Sequence, residues 1–442
     1  MTDEPTSSWI ASPPPASGPS GSLPPYGPPL QPGDERRTFR LDLARNGAAG
    51  FIDACERTFF LLIAISVLDG NWQSKSILAG AAGVGFLFSP LVVQRARRGG
   101  RAVTVPATKL LIAASLTSLA SAVLKNQVLF VVGASLGLAL HGCVVPFATA
   151  IYNRNYPAGR RGRYVSIGLW VRVFWMALSA VVVAEILEQR LASHPDIWRI
   201  VPLAASVAYA LEAAVMPRFP AAPLRLRPDE PANEREAWKV RIQLMRDDPL
   251  LRNVLAAWMF MGFANLMMLP LRVEYTSNPR YGLSLGPRSI TMLTLIIPAL
   301  VRLVMTIPFG WAFDKLSFFA LRILVNIVFA ISIVSFFLGT DMRALVFGAI
   351  AFGLAVAGGD VLWNLWTIKF APPGRVADYM ALHMFFTGIR GITAPFVGFY
   401  LIQRVSVRNM GWICAALIVV SSLILVPQFF AERTTRRQFS AR

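Results

Sequence analysis

Twelve apolar runs of about 20 residues each dominate the sequence. They fall at roughly 47–69, 74–94, 105–124, 127–151, 164–188, 197–217, 252–271, 288–312, 319–339, 343–369, 379–403 and 409–430. A run of this length with few charges matches the thickness of a bilayer's hydrocarbon core when it coils into an α-helix. Lipid offers backbone groups no hydrogen bonds, so a chain crossing it must satisfy them internally. Strands are disfavoured, because a membrane barrel writes short alternating segments rather than continuous runs. Composition agrees: 55% of the 442 residues are hydrophobic and only 15% are charged, against about 25% charged in soluble domains.

A net charge of +19 would point to nucleic acid in a soluble protein. The placement of the charges points to membrane topology instead, and no nucleic-acid partner is expected. With the N-terminus on the cytoplasmic side, 28 of the 43 Lys and Arg fall in tails and loops on that side and 10 on the other. Lys75, Arg272 and Arg288 are among the ten. That asymmetry follows the positive-inside rule and predicts an inner-membrane protein with an even number of spans and both termini cytoplasmic. The expected partners are the lipid bilayer, a small-molecule substrate and a proton, and a monomer is expected.

Residues 1–35 are rich in Pro, Ser and Gly and have no apolar period, so residues 1–46 read as a disordered tail leading into a basic juxtamembrane segment. The tail lacks the basic start and short apolar core of a signal peptide. The linker, 218–251, separates six-helix segments at 47–217 and 252–430, and 431–442 forms a second cytoplasmic tail. In the linker Asn233 and Glu236 suit a helix cap, and Trp238, Ile242 and Met245 then share one face. A short surface helix and a solvated linker are equally compatible with this pattern. Cys55, Cys143 and Cys414 lie far apart inside apolar runs, and His141, His194 and His383 are scattered. No disulfide framework, metal site or cofactor is expected. No ATP-binding motif or enzymatic constellation is present either.

One segment recurs at a fixed offset. Pro157, Gly159, Arg160 and Tyr164, between runs four and five, return 215 positions later as Pro372, Gly374, Arg375 and Tyr379, between runs ten and eleven. Together with Gly310-Trp311-Ala312-Phe313-Asp314-Lys315, this resembles the major facilitator superfamily. That superfamily's Gly-x-x-x-Asp-Arg/Lys signature links helices two to three and eight to nine. The first copy departs from it: Pro90-Leu91-Val92-Val93-Gln94-Arg95 has lost both the Gly and the Asp. The resemblance covers about residues 45–430. It implies twelve transmembrane helices in two pseudo-symmetric six-helix bundles and a secondary transporter working by alternating access. It also implies a gating role for Gly310, Asp314 and Lys315. In such a fold helices one, four, seven and ten line the cavity, and two, five, eight and eleven close it.

Ionisable residues at bilayer depth cost about 2.5–3.5 kcal/mol each on insertion scales and persist where they face a cavity or one another. The candidates are Asp53, Glu56, Arg57, Arg172, Arg302, Asp360 and Arg390. Asp53 and Arg57 are spaced to pair on one helical face. Asp53, Glu56 and Asp360 are the candidate proton carriers. Arg172 and Arg390 lie near mid-membrane on corresponding helices without an acid within four residues. They read as a two-sided clamp for a carboxylate or phosphate, joined by Arg302 and by Asn364, one turn from Asp360. Glu185 and Glu212 lie near helix ends and are weaker candidates, and His141 reads as a packing residue. Three functions remain open: a porter of small anionic or zwitterionic organic solutes, an exporter of amphipathic compounds or lipids, and a non-transporting receptor or assembly protein.

Overall fold

The structure is a computed structural model that describes residues 31–123, 126–223, 234–339, 341–372 and 375–440. Side chains of 97, 158, 159, 234, 237, 364, 368, 376, 377 and 433–440 lie outside the description. The described residues contain no strand, only an isolated bridge between Ala102 and Pro223.

Eleven described helices are long and apolar enough to cross a membrane. The twelfth is the first in the chain, whose apolar stretch carries Asp53, Glu56 and Arg57. It starts at Asp34, ahead of the apolar run, and continues through a π-turn at Cys55–Phe59 to Ser66. The other membrane helices are two (Trp72–Arg98), three (Thr104–Val123), four (Gln127–Asn155), five (Ala158–Arg190) and six (Ile200–Val215). In the second half come seven (Pro249–Ser277), eight (Pro287–Lys315), nine (Phe318–Leu338), ten (Met342–Phe370), eleven (Val376–Leu401) and twelve (Val407–Ser440). The chain is thus a twelve-helix, multi-pass membrane protein. An even number of crossings puts both chain ends on one face, called the tail face below; the opposite one is the far face.

Local chemistry sets many of the starts. Asn126 accepts from the amides of Val128 and Leu129, Asp248 from Leu251, Ser317 from Ala320 and Asp341 from Ala344. Each satisfies a donor that the first helical turn leaves free. Helix four is interrupted near Cys143 and Val144 and restarts with Pro146 in its new first turn. Between the halves, Glu234–Asp247 is helical. It rests on the bundle: the Trp238 ring lies 4.5 Å from that of Phe385 on helix eleven, while Ile242 stays exposed. Asn233, the proposed cap, lies outside the described residues.

The two halves share one pairing scheme. Helix one packs on five and six, three packs on four and six, and two packs on four. Seven likewise packs on eleven and twelve, nine on ten and twelve, and eight on ten. The repeated tyrosines fit the same relation. Tyr164 donates to Glu35 at 2.6 Å, near the start of helix one, and Tyr379 donates to Asp248, the N-cap of helix seven.

Across the seam the halves meet mainly toward the far face. Helices two and eleven touch backbone to backbone at Gly83 and Gly391. Lys75 at the far end of helix two pairs with Glu274 near the far end of helix seven at 2.7 Å. Arg288 on helix eight pairs with Glu185 on helix five at 2.6 Å, and its amide donates to Glu188 at 3.0 Å. The Trp72 and Tyr400 rings lie 5.6 Å apart. Arg272, assigned to a far-side loop from the sequence, is instead buried in helix seven. It donates to Ser332 at 2.7 Å, and its guanidinium lies 3.7 Å over the Phe352 ring. Helix seven runs further than its apolar run because Arg272 and Glu274 both find partners inside the protein.

Candidate functional site

A cavity of about 380 Å³ opens between the halves. Glu56, Arg57 and Phe60 of helix one line it, with Ala79, Gly83 and Phe86 of helix two and Trp258, Met261 and Asn265 of helix seven. Helix ten contributes Phe352, Asp360 and Trp363, helix eleven contributes Thr387 and Arg390, and helix nine contributes Arg322 and Phe329. Helices four, five and eight contribute nothing to this wall. The cavity leans toward the second half, an asymmetry that the expected lining by helices one, four, seven and ten does not contain.

Two guanidiniums dominate the wall. Arg390 is 4% exposed; it donates at 2.5 Å to the carbonyl of Trp258 and at 2.9 Å to the hydroxyl of Thr387. Its Nε has no partner. Arg322 is 2% exposed and lies 3.7 Å over the Trp258 ring, with both terminal nitrogens unpartnered. The two arginines are close enough to repel one another, and among the described residues neither has a carboxylate in contact. His383 lies beside them, ringed by Trp258, Trp363 and Trp366 at centroid distances of 5.1 to 5.5 Å. Both its ring nitrogens are unpartnered. An arginine holds its proton under all ordinary conditions, so this corner carries two fixed positive charges in an apolar wall. Buried cations in that position demand an anion.

The clamp expected from the sequence is corrected on one side. Arg390 faces the central cavity, but Arg172 does not. Arg172 grips Asp53 with two hydrogen bonds of 2.6 and 2.5 Å and lines a separate cavity in the first half. Asp53 is likewise absent from the central wall. Arg302 is also committed, pairing with Asp360 at 2.7 Å. It sits behind the wall while Asp360 forms part of it. The expected Asp53–Arg57 ion pair is absent: Arg57 lies inside the π-turn at Cys55–Phe59, which follows Asp53. A π-turn adds a residue to the helical ring and shifts the register. Asp53, ahead of the turn, faces helix five, while Glu56 and Arg57 within it face the cavity. The side chain of Asn364 lies outside the described residues. Gly310 has open space around it, and Asp314 and Lys315 are exposed at the tail end of helix eight. Lys315 rests 4.5 Å over the Trp311 ring, and Asp314 has no ion pair among the described residues.

Sequence reasoning missed Arg322, Trp258 and His383. Arg322 lies close to the start of helix nine and reads as a topology-setting base. Its signal was its place as the one charge in the apolar run 319–339.

No family model and no curated protein matches the sequence. Solved structures do match. A D-xylose-proton symporter superposes with a TM-score of 0.70 at 15% identity, over 88% of this chain and 97% of that one. The nucleoside transporter NupG gives 0.67 at 12% identity over 90% and 99%. A POT family transporter in complex with a thioalcohol-conjugated peptide gives 0.66 at 13% identity over 91% and 97%. The chain has the major facilitator fold. Identities this low show the fold alone, and function in it has to be argued from the site. The far-face contacts lie at one end of the cavity, and Asp314 stands at the opposite end with no ion pair among the described residues.

Proposed function

We propose that the protein is a secondary transporter, working by alternating access in the inner membrane, that moves a small organic anion or zwitterion with proton coupling. Arg322 and Arg390 take the anionic group, and this replaces the Arg172–Arg390 clamp. The observation that carries the reading is the pair of nine-tenths-buried guanidiniums on a cavity wall with no carboxylate in contact among the described residues. A cavity of about 380 Å³ suits a small solute and disfavours a receptor whose core is plugged by side chains. Asn265 and Trp363 offer polar and stacking contacts to the rest of the ligand. With the termini cytoplasmic, as the basic residues favour, the far-face ion pairs belong to an inward-facing state. They would break when the halves rock. One of the matched transporters is a proton symporter, which supports proton coupling, while the preference for an anionic group rests on the two arginines alone.

The test is a thermal-shift screen of purified protein against mono- and dicarboxylates, phosphate esters, neutral sugars and nucleosides. Hits should be anions or zwitterions. Their shifts should vanish in Arg322→Gln and Arg390→Gln, and counterflow of the best hit in proteoliposomes should vanish with them. Stabilisation by neutral solutes alone, or by anions equally in both variants, would overturn the reading.

A further inference from the structure

The first half holds a second titratable site, buried and apart from the central cavity. We propose that Glu212 on helix six and His141 on helix four form a proton-binding pair that exchanges its proton with a small adjoining cavity. In transport it would serve as the coupling site, and that use rests on the function proposed above; the titration itself does not.

Glu212 is fully buried, and neither of its carboxylate oxygens has a hydrogen-bond partner. His141 brings its Nε2 to 3.3 Å from Oε2, close enough for charge attraction but outside hydrogen-bond geometry. A bare carboxylate in that setting costs several kcal/mol, so the pair holds at least one proton in the arrangement seen. The nearby cations Arg45 and Arg172 act on Glu212 from a distance but form no ion pair with it. Arg45 is held by Asp42 at 3.2 Å and by the Tyr152 hydroxyl at 2.5 Å. Arg172 is held by Asp53. The other charged or titratable groups coupled to the pair are Asp53 and Glu56 of helix one, which act with His141, and Tyr209 of helix six, which acts with Glu212. Tyr209 lies with its ring 5.6 Å from that of His141 and its hydroxyl unpartnered.

The site also adjoins a space that can hold a proton acceptor. A cavity of about 120 Å³ adjoins the pair, lined by His141, Arg172, Arg45, Asn46, Tyr152 and Thr149, and these polar groups suit a water that can take the proton. His141 sits in the last turn of the first segment of helix four, just before the interruption near Cys143. Free carbonyls at such an end favour a cationic ring. When the proton leaves to water in this cavity, the pair is left with one net negative charge. Arg172 lines the same cavity and then has two carboxylates to choose from, Asp53 and Glu212. Titration of the pair is thereby linked to the contact between helices one and five.

Infrared difference spectroscopy of the full-length protein, stepped between about pH 5 and 8, tests this without any substrate. The wild type should show a transition containing a glutamate carboxyl band that moves on ¹³C-glutamate labelling and not on ¹³C-aspartate labelling. The band should disappear in Glu212→Gln, and its midpoint should move by about one pH unit or more in His141→Gln. A band that survives Glu212→Gln, moves with aspartate labelling or disappears in Glu56→Gln overturns the assignment, as does the absence of a transition. Should Glu212→Gln fail to fold, wild-type labelling and the His141→Gln midpoint decide. Because no solute is involved, failure here leaves the transport reading standing, and the reverse also holds.

Discussion

Thr58 and Thr294 bring their hydroxyls to 3.2 Å across the seam between the halves, and each lies in a π-turn, one in helix one and one in helix eight. Both are buried. Wide turns of this kind recur at functional positions because they rotate the following side chains off the α-helical register. Here they aim a hydroxyl from each half at the other.

Replacing Thr58 with Val keeps the shape and removes that bond. A neutral buried hydrogen bond is worth about 1 kcal/mol net, so the far-closed population should fall about fivefold relative to the far-open one. Spin labels at exposed Ser193 and Ser406, read by double electron–electron resonance, report this ratio; the three native cysteines are buried. An unchanged distance distribution would show that the contact is not part of the switch.

Close approach of helices two and eleven gives a sharper contrast. A Cβ on Gly83 would lie 2.7 Å from the carbonyl carbon of Gly391, whereas one on Gly80 would meet backbone no closer than 3.4 Å. Gly83→Ala should therefore weaken the closed seam by about 1–3 kcal/mol and broaden the Ser193–Ser406 distances, with Gly80→Ala close to wild type. Equal behaviour of the two alanine variants would contradict the packing described.

The Arg172–Asp53 pair yields a stability prediction. Asp53→Asn leaves a largely buried guanidinium without its anion, and removing one partner of a buried pair costs about 3 kcal/mol or more. Replacing both residues, Asp53→Leu with Arg172→Met, removes the charge and the need for a partner together. In thermal unfolding of the purified protein the double variant should melt above Asp53→Asn. A double variant melting at or below the single one would mean the pair stabilises the fold outright.

Much of the architecture was determined by the sequence alone, because bilayer thickness fixes the length of an apolar helix and the period of one helix needs no knowledge of another. Run lengths determined twelve spans, and the recurrence of Pro157 and Tyr164 at Pro372 and Tyr379 predicted two like halves, whose helices the structure pairs in one scheme. Apolar spans also drew the eye to Asp53, Glu56, Arg57, Arg172, Arg302, Asp360 and Arg390, since each charge there has to be compensated. Which charge compensates which was decided only by tertiary structure. Partners such as Arg172 and Asp53 are 119 positions apart, and their meeting depends on how helices one and five are rotated about their axes. A π-turn, which leaves no composition signature, follows Asp53 and holds Glu56 and Arg57, which face the cavity. The same holds for Arg322, a residue near a helix start by sequence, and for Glu212, near a helix end. Helix packing buried both, one over Trp258 and the other against His141.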